Sequence, residues 1–157
     1  MNDLLYCAPG HIFCRAKKIL LAVDGSEGSA RAATVAFEIA EMTNSKLYII
    51  HVIPTPIVKQ IALMSDSDAE EILAKYAAKG ETLLEGVKAS ATDYKLDIEL
   101  ILDRGSPGDR IIAKSTELEV DLVVLGSQGI SGGSRTGIGG SSERVLLGID
   151  CPILVVK

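Results

Sequence analysis

The sequence has little of two features that nucleic-acid-binding proteins need. Aromatic residues make up 4% of the chain and tryptophan is absent, so a platform of rings for stacking on bases is not expected. The formal net charge of -5 disfavours contacts with phosphate backbones, because those contacts need clustered Lys and Arg. We therefore expect no nucleic acid as a partner.

Cysteine and long hydrophobic runs are also scarce. The three cysteines, Cys7, Cys14 and Cys151, form no disulfide framework and fit a reducing compartment. The longest apolar run, residues 47–53, is far shorter than the ~20 residues that cross a bilayer. Residues 1–17 lack the basic stretch followed by an apolar run that is typical of a secretory signal. We expect a cytoplasmic protein without a membrane partner.

Short apolar runs alternate with helical patterns along the 157 residues. This alternation predicts an α/β fold, in which five parallel strands form an open sheet and four helices cover it. A chain of this length with 47% hydrophobic residues can bury one core. We expect an N-terminal extension over residues 1–17 and one domain over residues 18–157.

The apolar patterns also predict where each strand and each helix begins and ends. The strands are expected over residues 19–23, 46–53, 96–102, 121–125 and 152–156, and the helices over 29–42, 67–91, 107–118 and 142–147. Ser67 and Glu70 have the spacing of a capping box, which predicts the start of the longest helix. Residues 57–66 are expected to form a linker. Strand three alternates apolar and acidic residues, as expected of an edge strand.

A glycine-rich loop follows the fourth predicted strand. Residues 126–145 hold seven of the fifteen glycines, and from Leu122 to Ser142 the one charged residue is Arg135. Ligands of open α/β sheets bind where strands end, glycine lets the backbone approach a ligand, and helix N-termini attract anions. The loop is therefore either a phosphate-binding loop or a flexible connection.

Two familiar phosphate-binding motifs are missing. The sequence contains no G-x-x-x-x-G-K-[ST], so a Walker-type nucleotidase is not indicated. The nearest approach to G-x-G-x-x-G is residues 137–142, which end in serine and follow strand four instead of strand one. A classical dinucleotide-binding fold is not expected.

Four segments together resemble the universal stress protein family. They are ILLAVDGSEGSARA (19–32), IIHVI (49–53), RGSPGDRII (104–112) and the glycine loop with the C-terminal SERVLLGIDCPILVVK. The resemblance covers roughly residues 17–157 and implies a Rossmann-like sheet with strand order 3-2-1-4-5. It also implies a regulatory, stress-response role.

The glycine loop resembles the ATP-binding branch of that family, where it reads G-x2-G-x9-G-[ST]. Gly126, Gly129 and Gly139 match the three glycines, and Gly140 stands where the family has Ser or Thr. A loop with ten intervening residues would instead place Gly140 and Ser141 on the last two positions. Both registers leave backbone N–H groups for a phosphate.

The resemblance implies an ATP site, with Mg²⁺ or Mn²⁺ as companion ion. The residues that it places around the nucleotide are Ala22, Asp24, Val52, Leu125, Gly126, Gly129, Gly139, Gly140, Ser141 and Ser142. Ala22 would lie beside the nucleoside, Val52 would offer its backbone to adenine, and Leu125 would close the base pocket. Asp24 would face the ribose or the metal. The two glycines after strand four would admit the ribose and α-phosphate, and the four residues at 139–142 would hold the β- and γ-phosphates.

The resemblance also implies a homodimer. The last strand, Ile153 to Val156, would lie at an open edge of the sheet and pair antiparallel with its copy.

Several residues have plainer interpretations. Asp24 could cap the next helix, and His51, in the middle of a buried strand, is more typical of a core residue than of a catalytic one. Cys7, His11 and Cys14 suggest a metal or redox cluster but lack a fourth ligand, so no metal site is assigned.

Three functions are compatible with these patterns. The first is a nucleotide-binding regulatory module and the second is a nucleotide-free dimeric interaction protein. The third is a slow ATPase or nucleotidyl-transfer enzyme. No catalytic base stands out near the loop beyond Asp24 and the serines, so we expect no catalytic residues and no rapid ATP hydrolysis.

Overall fold

The computed structural model describes residues 16–129 and 138–157. Within them, the strands are β1 (Lys18–Ala22), β2 (Lys46–Pro54), β3 (Ile98–Gly105), β4 (Leu122–Gly126) and β5 (Ile153–Val156). The helices are α1 (Glu27–Thr43), α2 (Thr55–Ser65), α3 (Ala69–Ala89), α4 (Pro107–Glu117) and α5 (Gly140–Gly148).

The strands form one parallel sheet with the order β3-β2-β1-β4-β5. The α/β class, the parallel pairing and the strand order expected above are confirmed. β3 lies at one edge, as its alternating polar residues predict, and β5 lies at the other. β2 is buried along most of its length because β1 and β3 flank it and helices cover both of its faces.

Two hydrophobic cores lie on opposite faces of the sheet. Helices α1 and α3 cover one face, where Phe37 and Leu84 pack against alternate residues of the central strands. Helices α4 and α5 cover the other, where Ile111 and Val145 pack against the remaining residues of the same strands. This alternation follows from the two-residue period of a strand. The helices do not cover the carboxyl ends of the central strands.

The segment expected to be a linker is instead helix α2. Its first turn contains Pro56, and a proline that ends a strand also suits the first turn of a helix, where its missing N–H is not needed. Only Val58 of this helix is buried. The described residues therefore contain five helices instead of the expected four.

The capping box expected at the start of the longest helix is also wrong. Asp68, not Ser67, caps α3, and its Oδ1 accepts a hydrogen bond from the Glu70 N–H at 3.0 Å. Aspartate competes well with serine for this position because its carboxylate also interacts favourably with the helix dipole.

The site depends on a close contact between the end of β4 and the start of α1. A Cβ atom on Gly126 would lie 2.7 Å from the carbonyl carbon of Gly28 and 3.1 Å from the backbone N of Ser29. The two backbones touch because neither glycine carries a side chain. The ends of β1 and β4 are adjacent at this point, and the chain leaves them toward opposite sides of the sheet, which opens a crevice between them.

Candidate functional site

A cavity of about 680 Å³ opens at the edge of the sheet where β1, β2 and β4 end. Its volume is within the range of small-molecule sites. All ten residues that the family resemblance places around a nucleotide line it. They come from the end of β1 (Ala22, Asp24), from β2 (Val52), from the end of β4 and the turn after it (Leu125, Gly126, Gly129) and from the start of α5 (Gly139, Gly140, Ser141, Ser142).

Asp24 occupies the turn between β1 and α1. Its Oδ1 accepts a hydrogen bond from the Ser26 N–H at 2.9 Å, and Gly25 between them has a φ of 84°, a conformation that favours glycine. Ser26 caps α1, since its Oγ accepts a hydrogen bond from the Ser29 N–H at 3.1 Å. The interpretation of Asp24 as the helix cap is therefore wrong, and the carboxylate lines the cavity instead.

Gly129 lies directly against this carboxylate. A Cβ atom on Gly129 would lie 2.5 Å from Oδ2 of Asp24, which is too close for two non-bonded atoms. A side chain at residue 129 would therefore have to displace the carboxylate of Asp24, which is the end of a flexible side chain. This contact is a physical reason for glycine at the second glycine position of the loop motif.

Helix α5 points its N-terminus into the cavity. Gly139 is the N-cap, no side chain of the described residues caps this end, and the first helical hydrogen bond runs from the Glu143 N–H to the Gly139 carbonyl at 2.8 Å. The N–H groups of Gly140, Ser141 and Ser142 precede that bond and have no partner within the helix. Such N–H groups, together with the helix dipole, favour an anion.

The hydroxyl of Ser142 has a structural partner. It donates a hydrogen bond to the Gly126 carbonyl at 2.8 Å and is buried. This bond ties the start of α5 to the end of β4. Because this hydroxyl is engaged with Gly126, the main-chain N–H of Ser142 is the donor that is left for a ligand.

The cavity also has a wall that sequence reasoning missed. Ile57 of α2 and Tyr76, Lys79 and Leu83 of α3 line it, together with His51 of β2. The helical spacing of Tyr76 and Leu83 predicts core positions, and Leu83 does pack against the core while it also lines the cavity. Proximity between α3 and the end of β2 has no signal in a single sequence.

Few charges face the cavity. Asp24 and Lys79 are the charged side chains among its described lining residues.

Arg135 and the cluster of Cys7, His11 and Cys14 lie outside the described residues. Across residues 16–129 and 138–157, no three His, Cys, Asp or Glu side chains are grouped so that they could hold a metal ion.

Cys151 precedes β5 and is half-buried against the core beneath α5. Burial raises the pKa of its thiol above the ordinary value, since desolvation disfavours the thiolate. A protonated thiol is a poor nucleophile, so we interpret Cys151 as a packing residue.

No helix of the described segments combines the length and the apolar character that crossing a membrane requires.

Comparison with known proteins gives a consistent family assignment. The model of the universal stress protein family matches residues 15–157. Universal stress protein YxiE of Bacillus subtilis is 32% identical over 145 residues, covering 89% of this chain and 98% of that protein. Universal stress protein MJ0531 of Methanocaldococcus jannaschii is 31% identical over 141 residues, covering 90% and 82%.

Solved structures share the fold at lower identity. Universal stress protein UspA from Lactobacillus plantarum superimposes with a TM-score of 0.79 at 22% identity, covering 91% of this chain and 99% of that one. A universal stress protein in complex with cAMP gives 0.59 at 23% identity, covering 90% and 96%. The universal stress protein from Archaeoglobus fulgidus in complex with dAMP gives 0.63 at 20% identity, covering 90% and 98%.

Proposed function

The chain belongs to the universal stress protein family, and from the site of this member we propose that it is a regulatory module that binds an adenine nucleotide, ATP in the first place. The observation that carries the proposal is the convergence of ten residues from β1, β2, β4 and α5 on one cavity. The working compartment we propose is the cytoplasm, because an odd number of scattered cysteines suits a reducing environment.

The α5 end of the cavity suits the phosphates. It presents the N–H groups of residues 140–142 and the glycines at the end of β4. Backbone N–H groups can approach a phosphate closely there because Gly129, Gly139 and Gly140 carry no side chains. The local geometry outweighs the net charge of -5, since exposed charges more than about 8 Å away are largely screened at physiological salt.

The carboxylate of Asp24 suits a companion cation or the ribose. Mg²⁺ is usually bound through one or two carboxylates together with substrate phosphates, and Asp24 is the carboxylate among the described lining residues. Asp24 would hold Mg²⁺ or Mn²⁺, which would neutralise phosphate charge.

The opposite end suits the base. Pro54, Ile57, Tyr76 and Leu83 make most of it apolar and partly aromatic, beside the polar side chains of His51 and Lys79. A largely apolar surface is the environment in which a planar base loses least by leaving water. Two solved structures of the same fold contain the adenine nucleotides cAMP and dAMP, and this supports the ligand class for the present chain.

Two measurements test the proposal. Isothermal titration with ATP and Mg²⁺ is expected to show saturable binding, and native mass spectrometry of the purified protein is expected to detect an adenine nucleotide. No heat at millimolar ATP, AMP and cAMP would refute the proposal.

Replacing Gly129 with alanine tests the phosphate and metal end. The new Cβ would displace the Asp24 carboxylate, and losing one interaction with a charged group costs about 1.5–3 kcal/mol. We expect ATP to bind about tenfold or more weakly by titration, with little change in the thermal midpoint. Gly86→Ala, at an exposed helix position with open space around it, is the control and should bind ATP like the parent. Equal affinity of Gly129→Ala and parent would mean that Asp24 does not contact the ligand.

A second function has one observation in its favour. Gly140 supplies no hydroxyl at the position where the ATP-binding branch has one, and the hydroxyl of Ser142 is engaged with Gly126. A nucleotide-free dimeric interaction protein with the same fold would tolerate both. Absence of co-purified nucleotide together with absence of titration heat would favour this alternative.

Rapid hydrolysis is not part of the proposal. Asp24 is the carboxylate lining the described part of the cavity, and it lies beside Gly129, with its other oxygen bonded to the Ser26 N–H. A base for hydrolysis must activate the attacking water beyond the γ-phosphate. We propose that phosphate release in a single-turnover incubation with ATP is far slower than catalysis by an enzyme with a kcat of about 1 per second or above.

We also propose a homodimer through β5. The carbonyls of Pro152 and Val156 accept hydrogen bonds from β4 and the turn after it. Because successive residues of a strand point in opposite directions, Ile153 and Val155 direct their N–H and C=O groups away from the sheet. An apolar edge with unpaired backbone groups is suited to pairing with a second copy.

Replacing Val155 with proline should dissociate that dimer. Proline removes an outward N–H and leaves the hydrogen bonds between β5 and β4 in place, because residue 155 does not donate to β4. We expect a monomer by light scattering at micromolar concentration and retained far-ultraviolet circular dichroism. Val155→Thr keeps the N–H and should remain dimeric. A parent protein that is itself monomeric would refute the dimer.

A further inference from the structure

The imidazole of His51 lies at the largely apolar end of the cavity and has no role so far. The residue is half-buried near the end of β2 and lines the cavity. It lies on the side of the sheet occupied by β2, α2 and α3, whereas the N-terminus of α5 lies beyond β1 and β4. A nucleotide with its phosphates at α5 would therefore place its base near His51.

The hydrogen bonding of His51 determines which of its nitrogens carries the proton. Nδ1 lies 2.8 Å from the carbonyl oxygen of Val23. A carbonyl can only accept, so Nδ1 must be the donor, and in the neutral ring Nε2 is then an acceptor. No described residue donates a hydrogen bond to Nε2. Every fully buried side-chain nitrogen of the described residues has a partner, so Nε2, which has none among them, is not fully buried. Because His51 lines the cavity, we infer that the lone pair of Nε2 can be reached from there.

Two contacts hold the ring in this orientation. The Val23 carbonyl binds one side, and the backbone of α3 passes close to the other, where a Cβ on Gly80 would lie 2.8 Å from Cδ2 of His51 and 2.7 Å from Cδ1 of Leu102. α3 can approach this closely because residue 80 has no side chain. A half turn of the ring would remove the Nδ1–H from the carbonyl. Nε2 is thus a fixed acceptor at the apolar end of the cavity.

We propose that His51 is a specificity-determining residue, whose Nε2 accepts a hydrogen bond from the exocyclic amino group of the base. The inference rests on the proposed binding of an adenine nucleotide and adds the residue that selects a 6-aminopurine over a 6-oxopurine. A 6-oxopurine would present a carbonyl oxygen to Nε2, so that two acceptors would face each other in a largely apolar environment. Leaving buried polar groups unpaired is the strongest means by which a site rejects a close analogue.

The test compares triphosphates that differ only at C6 of the purine. The parent protein is expected to bind ATP about tenfold or more tightly than inosine triphosphate by isothermal titration, with purine riboside triphosphate, which has hydrogen at C6, in between. This series needs no variant and so does not depend on folding of a mutant. Equal affinity for ATP and inosine triphosphate would overturn the inference and leave nucleotide binding intact, whereas no binding of any of the three would overturn both.

His51→Asn is the matched variant. Its side-chain amide can keep the donor to the Val23 carbonyl at the place of Nδ1, while the acceptor Nε2 is lost. We expect the ratio of ATP to inosine triphosphate affinity to fall to about twofold or less, mainly through weaker ATP binding, in a protein whose thermal midpoint matches the parent. A ratio unchanged from the parent would show that another group reads the base.

Discussion

Replacing Gly140 with serine is expected to tighten ATP binding about tenfold or more. Serine would restore the hydroxyl found at this position in the ATP-binding branch, and a hydrogen bond from a hydroxyl to a charged phosphate contributes about 1.5–3 kcal/mol. The substitution fits, because a Cβ on Gly140 would meet no atom of the described residues within 4 Å. Gly140 is also the first residue of α5, where serine is well tolerated.

The control for this gain is Gly140→Ala, which adds the methyl group without the hydroxyl. Titration with ATP should give the affinity of the parent for the alanine variant and a tighter value for the serine variant. If serine brings no gain, Gly140 does not occupy the phosphate-binding position, and the register with ten intervening loop residues, which places Ser141 there, is favoured.

Replacing Gly126 with alanine is expected to have the largest effect on stability. The new Cβ would lie 2.7 Å and 2.9 Å from the carbonyl carbon and oxygen of Gly28, and a backbone cannot move aside as the end of a flexible side chain can. Overpacking of this kind costs about 1–3 kcal/mol. We expect the free energy of unfolding to fall by about 2 kcal/mol and the thermal midpoint to fall by roughly 4–8 °C.

Gly86→Ala is the matched control for that loss. Gly86 lies on the exposed side of α3 with no atom near the place of a Cβ, so alanine should stabilise the helix by up to about 1 kcal/mol. Denaturant unfolding of both variants separates the contact at Gly126 from a general effect of losing glycine. If Gly126→Ala is as stable as the parent, α1 and the end of β4 do not touch as described.

Local patterns predicted all five strands and four of the five helices of the described residues. Each strand was placed within three residues at either end because a buried parallel strand reads as an uninterrupted or alternating apolar run. Helix α2 was missed because residues 57–66 are apolar without one buried face, Val58 being its buried residue. Ser67 was preferred to Asp68 as a cap because both are good N-caps one residue apart, and only the backbone path selects between them.

The glycine side of the cavity was predicted, and the opposite wall was not. Glycines at fixed spacing carry a local signal, since each marks a place where the backbone must approach something closely. Tyr76 and Leu83 carry the same signal as any apolar helix residue. His51 was interpreted as a core histidine, and the structure agrees in part, because one of its nitrogens is satisfied by Val23.

The sequence by itself determined the α/β class, the alternation of strands with helices and the glycines that let a loop approach a ligand, because all of these depend on neighbours within a few residues. Only the tertiary structure decided that α3 lies beside the end of β2 and that Asp24 lies against Gly129. It also decided that the lone pair of Nε2 of His51 can be reached from the cavity. Those contacts join segments far apart in the chain, and their distances follow from how helices pack on a sheet.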